Sequence, residues 1–304
     1  MQRRLERRLS RAFLPLLLLM SCAAPAAQTE TKVQTRSTVV WEESAPWFGG
    51  FSGAEVSVDG NHLIAVSDRG RVLRARLLRE GGKLVGVALQ QDASLAGPDK
   101  RPLRNKRRDA EGLALGEDGA VYVSFEHGHR VMRLDPDTGV TTPLPRHPDF
   151  ARLQPNSGLE ALAIHPDGRL FTLPERPDST SDTFPLYAFD GKKWSISAHI
   201  PSRGPFLAVG ADFGPDGSFY LLERTVTPLG FRSRIRSFNL DAMGLAESTL
   251  MTSGPSQYDN LEALSVWQDS KGQTRLTLIS DDNFFPLQET QVVELTLAKT
   301  APRP

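Results

Sequence analysis

Short segments that alternate apolar and polar residues recur along the chain, and each is followed by a turn and a second apolar run. The five first segments each carry one acidic residue, at Glu55, Glu111, Glu160, Asp212 and Glu262. An Asp-Gly turn follows each of the first four, and glycine supplies the positive φ that tight hairpins require. The second runs are rich in Val, Leu, Phe and Tyr, which suit a half-buried pleated surface. Each unit is therefore predicted to form a β-hairpin.

The units recur about every 50 residues, and a unit of this size cannot bury both of its own faces. Units packed around a common axis can do so, and four strands in such a span are typical of a propeller blade. The predicted fold is an all-β β-propeller with five visible blade repeats, and a sixth, degenerate blade is left open. Strand-like ends at Thr38–Trp41 and Gln291–Leu297 are expected to pair and close the ring.

A second acid follows the second strand of each unit. These acids are Asp68, Glu126, Glu175, Glu223 and Asp281. Three of them directly precede an arginine, namely Arg69, Arg176 and Arg224. Adjacent strand residues point to opposite faces, so these acids and arginines are expected to form salt bridges between blades. The alternative is that the guanidinium groups bind substrate phosphate, which they match in geometry.

The N-terminus has the pattern of a signal peptide, with a basic segment, Met1–Arg11, followed by an apolar one, Ala12–Met20. The apolar segment is too short to span a bilayer, which needs about 20 residues. Cys22 is the only cysteine, and Leu19-Met20-Ser21-Cys22 resembles the bacterial lipobox. The predicted organisation is a signal peptide at residues 1–21, lipidation at Cys22, a flexible tether at residues 22–37 and a propeller domain at residues 38–300.

This organisation predicts an exported protein on the periplasmic face of a bacterial membrane, held there by the lipid anchor alone. The alternative is ordinary cleavage after the small-residue run Ala24-Pro25-Ala26, which gives a periplasmic or secreted protein.

The net charge of the 304-residue chain is zero, with 36 basic and 36 acidic side chains. Residues 1–21 contain five arginines and one glutamate, so their removal leaves 31 basic and 35 acidic side chains, a net of −4. A mildly acidic chain argues against a nucleic-acid partner, which needs a basic surface. The single cysteine excludes a disulfide framework and a cysteine-based zinc cluster. The oligomeric state is left open.

Equivalent positions in a propeller are related by rotation, so the five first acids are expected to converge at one end of the channel. Facing carboxylates repel one another unless a cation or an arginine lies between them. Calcium accepts six to eight oxygen ligands. The predicted ligands of a divalent cation, with calcium as first choice, are Glu55, Glu111, Glu160, Asp212 and Glu262. The alternative is that these acids cap backbone N–H groups or pair with arginines between blades.

Histidine and nucleophile motifs give weaker signals. His127-Gly128-His129-Arg130 resembles part of the histidine acid phosphatase signature, but Glu126 replaces its leading arginine and no His-Asp dipeptide occurs. We interpret this similarity as coincidence. A Gly-x-Ser-x-Gly motif and glycine-rich phosphate loops are absent from the sequence, so no catalytic residue is assigned.

Several segments are similar to motifs of one bacterial family, the phytase-like, "esterase-like activity of phytase" group of exported proteins. They include Gly50–Glu55, Ser67–Gly70, Arg108–Leu113, Gly158–Leu162, Asp212–Gly217, Leu222–Arg224 and Ile279–Phe284. The resemblance runs from about residue 48 to residue 297 and implies hydrolysis of phosphoesters or other esters. The substrate-binding candidates, from these motifs and from the acid–arginine pairs, are Arg69, Arg108, Arg176, Arg224, Asp282 and Asn283.

Two classes of function remain. The first is an exported, metal-dependent hydrolase of small anionic or ester substrates, with a sugar-lactone hydrolase as a variant, because Glu111-Gly112-Leu113 also resembles those propellers. The second is a non-catalytic binding scaffold tethered to a membrane, in which the acids are structural.

Overall fold

The computed structural model describes residues 31–240 and 245–299. These residues form five four-stranded antiparallel sheets arranged as a five-bladed β-propeller, which confirms the predicted fold. No sixth blade is present in the described ranges. The predicted signal peptide, Cys22 and residues 22–30 of the predicted tether lie outside them. Among the described residues, no helix is long and apolar enough to cross a membrane.

The strands are numbered along the chain, and the first of them, β1 (Thr31–Val40), belongs to the last blade. Blade 1 contains β2 (Phe51–Val56), β3 (His62–Ser67), β4 (Arg71–Glu80) and β5 (Lys83–Ser94). Blade 2 contains β6 (Ala110–Leu115), β7 (Val121–Phe125), β8 (Arg130–Leu134) and β9 (Thr141–Pro143). Blade 3 contains β10 (Leu159–Ile164), β11 (Leu170–Pro174), β12 (Thr183–Phe189) and β13 (Trp194–Pro201). Blade 4 contains β14 (Leu207–Phe213), β15 (Phe219–Thr227), β16 (Gly230–Asn239) and β17 (Ala246–Thr252). Blade 5 contains β18 (Asn260–Gln268), β19 (Thr274–Asp281), β20 (Gln291–Lys299) and β1. Two 3₁₀ turns lie at Asn105–Arg108 and Pro148–Arg152.

The predicted Asp-Gly turns join the first two strands of blades 1 to 4. Their glycines all have positive φ, from 72° to 90°, which a residue with a Cβ adopts only with strain. These glycines are Gly60, Gly119, Gly168 and Gly217.

The N-terminal strand closes the ring, as the sequence predicts. β1 pairs antiparallel with β20, with Thr38 opposite Val293 and Val40 opposite Gln291. This strand already begins at Thr31, so residues 31–37, expected in the flexible tether, form part of blade 5 instead. Their backbone groups complete the sheet that would otherwise end at β20.

The inner strands β2, β6, β10, β14 and β18 contact one another in a closed ring and surround the central channel. Adjacent inner strands approach closely where glycine lies between them. A Cβ added to Gly112 would lie 2.6 Å from the carbonyl oxygen of Glu160, and one added to Gly210 would lie 2.5 Å from that of Glu262. We call the end of the channel where the five inner strands begin the mouth.

Aromatic side chains fill the space between blades. Phe171 of blade 3 and Phe213 of blade 4 have ring centres 5.0 Å apart, and Phe213 also packs on Phe219 at 5.1 Å. Because this packing is apolar and continuous, it fixes the inner strands that carry the acids.

Candidate functional site

Each inner strand has an irregularity in register close to its first residue. The residues at this bulge are Ser52, Glu111, Glu160, Val209 and Glu262, and in β6 the bulge also includes Gly112. Three of the five predicted ligands, Glu111, Glu160 and Glu262, are therefore structurally equivalent. The structure brings these three together at the mouth.

Glu55 and Asp212 lie three residues further along their strands than the bulge, about 10 Å deeper in the channel. The equivalent positions of the other blades carry Ala114, Ala163 and Ser265. The five acids predicted to form one ring are thus separated into two levels, and Glu55 and Asp212 do not join the group at the mouth.

The deeper pair is held by hydrogen bonds from blade 5. The Ser265 hydroxyl donates to Glu55 Oε2 at 2.8 Å, and the Val266 N–H donates to Asp212 Oδ2 at 2.6 Å. Burial, and next the charge of Asp212, raises the pKa of Glu55 well above its ordinary value. Burial raises the pKa of Asp212 to about 7. This pair cross-links blades 1, 4 and 5 inside the channel.

Equivalent residues near the mouth end of the second strands, within the strand or directly after it, form an outer group around the mouth. By register they are Asp68, Glu126, Glu175, Arg224 and Asp281, so blade 4 contributes an arginine where the others contribute an acid. Glu223, which the sequence placed among the second acids, lies one residue earlier. It is fully buried inside blade 4, where Arg234 and Arg236 both donate to its carboxylate at 2.6 Å.

Of the three predicted arginines, Arg224 makes salt bridges between blades, whereas Arg69 and Arg176 lie near the preceding acid of their own blade. The Nη2 atom of Arg224 lies 3.2 Å from Glu262 Oε1 of blade 5 and 3.5 Å from Glu175 Oε1 of blade 3. The side chain is 20% exposed and so still reaches solvent at the mouth. This arginine offsets part of the negative charge, acting first on Glu262, next on Glu175 and then on Glu160.

Glu111 and Glu126 of blade 2 and Glu160 of blade 3 form a compact carboxylate group. One oxygen from each lies within 4.8 Å of the other two. Glu111 and Glu160 are only 9% and 8% exposed, and neither side chain has a hydrogen bond or an ion pair with the described residues. Burial, and next the charge of Glu160, raises the pKa of Glu111 well above its ordinary value. A bound cation would relieve both the burial cost and the repulsion.

Further oxygen atoms near the mouth also lack partners. The side-chain carbonyl oxygen of Asn260 is buried without a hydrogen bond, while its Nδ2 donates to Glu262 at 2.8 Å. Asp68 Oδ1 is buried without a hydrogen bond, and burial raises the pKa of Asp68 to about 6. Burial, and next the charge of Glu262, raises the pKa of Asp281 to about 8. The donors are oxygen atoms throughout, which fits a hard divalent cation.

His127 lies beside this group, although the sequence motif around it was interpreted as coincidental. Its Nε2 atom is 3.2 Å from Asp109 Oδ2 and 3.3 Å from Glu126 Oε2. Burial, and next the charge of Asp109, raises the pKa of Glu126 to about 7. His127 directly follows the acid of blade 2, as Arg69 and Arg176 follow theirs, so the repeat itself could have identified it.

Two of the predicted arginines line a pocket of about 520 Å³ at the edge of the mouth. The Arg69 guanidinium lies 4.2 Å from the centre of the Phe284 ring and 3.8 Å from Asp68. Arg108 packs against the turn after β3, since a Cβ added to Gly70 would lie 2.6 Å from the Arg108 Cβ. A third arginine, Arg71, also lines this pocket but is paired with Asp92, so Arg69 and Arg108 are the candidates to bind an anionic ligand.

The remaining candidates lie elsewhere. Arg176 is half-exposed, donates to Ser157 Oγ at 2.9 Å and lines a separate pocket of about 580 Å³ in blade 3. Asp282 accepts the Gly50 N–H at 2.9 Å, and the exposed Asn283 donates its backbone N–H to Asp281 at 2.7 Å. Asp282 and Asn283 thus shape the loop that carries Phe284.

Solved structures with similar folds share little sequence with this chain. The catalytic domain of an α-L-arabinofuranosidase from Coprinopsis cinerea matches with a TM-score of 0.55 and 13% identity, over 90% of this chain and 99% of that one. The PQQ-bound aldose sugar dehydrogenase from Streptomyces coelicolor matches with a TM-score of 0.50 and 16% identity, over 90% and 100%. A putative gluconolactonase matches with a TM-score of 0.43 and 14% identity, over 89% and 94%. At these identities the likeness concerns the fold alone.

The comparison with curated proteins finds no match. One protein family matches residues 46–284, which include the acids of the mouth, His127 and the arginine pocket. The sequence motifs predicted the same family from separate short segments. The chain belongs to the phytase-like family, described as "esterase-like activity of phytase".

Proposed function

We propose that this protein is an exported, metal-dependent hydrolase of phosphate or other esters, with its reaction centre at the mouth. The observation that carries the proposal is the pair Glu111 and Glu160, which are nine-tenths buried and have no hydrogen-bond or ion-pair partner among the described residues. Two such carboxylates, with Glu126 in reach, form a site that a divalent cation would complete.

Calcium is the cation that fits these donors best. The cluster offers carboxylate oxygens, the buried side-chain carbonyl of Asn260 has no hydrogen bond, and calcium accepts such oxygens in irregular numbers and geometries. The ligands we propose are Glu111, Glu126, Glu160, Glu262 and Asn260. When bound, the cation would activate a water molecule and offset the charge that develops on the ester.

The chain's own cations favour an anionic substrate. Arg69 and Arg108 would hold a phosphate or carboxylate group in the pocket beside the mouth. Arg224, anchored by Glu175 and Glu262, would keep those two carboxylates from repelling the incoming anion. Arg176 lies in a different pocket and is assigned no role in binding this group.

The test is metal analysis of the purified mature protein together with a screen of phosphoester, carboxyl ester and lactone substrates. We expect bound calcium and hydrolysis of an anionic ester, both lost in Glu160→Gln and in EDTA. The matched control is Glu55→Gln, which changes a carboxylate of the deeper pair and should keep both properties. Hydrolysis restricted to lactones would favour the sugar-lactone hydrolase alternative. Absence of hydrolysis with every ester and lactone would favour the binding scaffold.

A further inference from the structure

We infer that Asp109, Glu126 and His127 form a second metal site, selective for a divalent transition metal and sharing Glu126 with the proposed calcium site. This inference rests on the proposed function, because the shared carboxylate belongs to both centres.

The three side chains are brought together by the register of blade 2. Ala110 and Phe125 are paired at the ends of β6 and β7, so Asp109 and Glu126 flank the same pair. The Glu126 N–H donates to the Asp109 carbonyl at 3.1 Å and extends the ladder by one more bond. His127 follows at once and turns back through Gly128, which has a φ of 72°. The donors are thus attached to the rigid end of a hairpin.

The distances suit metal ligands better than hydrogen bonds. His127 Nε2 lies 3.2 Å from one carboxylate and 3.3 Å from the other, but a single N–H can donate well to only one of them. Metal–ligand bonds of about 2.0–2.2 Å give distances of roughly 2.8–3.6 Å between neighbouring ligands in tetrahedral or octahedral sites. A cation between the three groups would therefore need little movement of the side chains.

The two acids of this group also interact with each other. The carboxyl groups of Asp109 and Glu126 are within hydrogen-bonding reach, and burial raises the pKa of both. The charge of Lys106 lowers the pKa of both carboxyl groups, and that of Arg108 lowers the pKa of Asp109. Lys106 is exposed and Arg108 is half-buried, and among the described residues neither forms an ion pair with Asp109, Glu126 or His127.

The donor chemistry separates this site from its neighbour. Imidazole nitrogen is a ligand for zinc, copper, iron and nickel, whereas calcium takes oxygen ligands. Glu111, Glu126 and Glu160 supply oxygen only, and the second group adds a nitrogen. A carboxylate shared by two cations is also compatible with two-metal catalysis, in which both the attacking and the leaving oxygen are stabilised.

The test uses the mature protein after EDTA treatment, titrated calorimetrically with Ca²⁺ alone and with Zn²⁺ alone, and with Co²⁺ as an absorption probe. We expect one Zn²⁺ equivalent that Ca²⁺ does not displace, and a visible Co²⁺ band that Zn²⁺ removes. His127→Asn should lose the Zn²⁺ equivalent and the Co²⁺ band but keep calcium binding. Glu126→Gln should weaken the binding of both Zn²⁺ and Ca²⁺. The control His62→Asn removes an exposed imidazole from blade 1 and should change neither.

Each outcome separates the two claims. Calcium binding without a Zn²⁺ site, or a Zn²⁺ site that His127→Asn leaves intact, overturns the second site and leaves the proposed function standing. If the wild type binds Zn²⁺ but does not bind Ca²⁺, the calcium centre alone is overturned. Should His127→Asn fail to give the wild-type circular dichroism spectrum, Asp109→Asn provides the same test.

Discussion

Arg224 occupies in blade 4 the position that Glu175 occupies in blade 3, and its Nη2 lies 3.5 Å from the Glu175 carboxylate. The same guanidinium group lies 3.2 Å from Glu262 of blade 5. The arginine that stands in blade 4 where the other blades have an acid thereby joins blades 3, 4 and 5 at the mouth.

Replacing Arg224 by glutamine should destabilise the metal-free protein, because Glu175 and Glu262 would lose their shared cation. Removing one partner of a buried ion pair costs about 3 kcal/mol. We expect a clear fall in the melting temperature in EDTA, and a smaller fall with calcium, which would lower the same repulsion. The control is Arg176→Gln, which removes a surface ion pair with Glu175 that is worth at most about 1 kcal/mol. Equal melting temperatures of the two variants would contradict this role.

The stability of the metal-free protein should fall as the pH rises from 5 to 8. Burial raises the pKa of Asp68 to about 6, of Glu126 and Asp212 to about 7 and of Asp281 to about 8, whereas the unfolded chain titrates near 4. The folded chain therefore binds more protons in this interval, so the stabilisation present below pH 4 is lost through pH 6–8. Melting curves in EDTA at each pH measure this trend. A melting temperature that rises from pH 5 to pH 8 would contradict it.

Stabilisation by calcium should depend on the acids at the mouth and not on the deeper pair, Glu55 and Asp212. A ligand at a hundred times its Kd stabilises a protein by about 2.7 kcal/mol. We expect calcium to raise the melting temperature of the wild type and of Glu55→Gln, but to have little effect on Glu111→Gln. Both variants replace a buried glutamate by its neutral isostere, so they are matched in chemistry. Equal calcium responses of Glu111→Gln and the wild type would reject the metal centre.

Cys22→Ser should release the protein from the membrane fraction, because a lipidated cysteine is the anchor that the sequence predicts. Fractionation of cells that express each form, followed by immunoblotting, measures the effect. Continued sedimentation of the variant with membranes at moderate salt would contradict the lipoprotein prediction.

The fold could be predicted from the sequence because its repeat is local. The Asp-Gly turns and the apolar runs on either side define each hairpin within a few residues of Gly60 or Gly119, and the ends of the chain display their own strand patterns. The pairing of Val40 with Gln291 confirms that closure could be predicted as well.

The composition of the site was harder to predict, because the depth of an acid depends on its position relative to the bulge and the turn. The bulge falls at equivalent positions, Ser52 in β2 and Glu111 in β6, but Glu55 is the fifth residue of its strand and Glu111 the second. The spacing to the turn glycine carries this difference, since Glu55 lies five residues before Gly60 and Glu111 eight residues before Gly119. Glu223 and Arg224 are adjacent in the sequence, so a shift of one residue made Glu223, and not Arg224, look like the blade 4 member of the outer group.

The closure of blade 5 by β1 has a consequence for the order in which the chain is made. β1 is synthesised before the other strands of its sheet, and its partner β20 comes last. Until then its backbone groups stay unpaired, and an unpaired strand invites association with other chains. The sequence of β1 counters this risk with polar residues at alternate positions, Lys32, Gln34 and Arg36. Completion of the ring thus waits until the whole domain has been synthesised, and a strand from a neighbouring molecule could take the vacant edge before then.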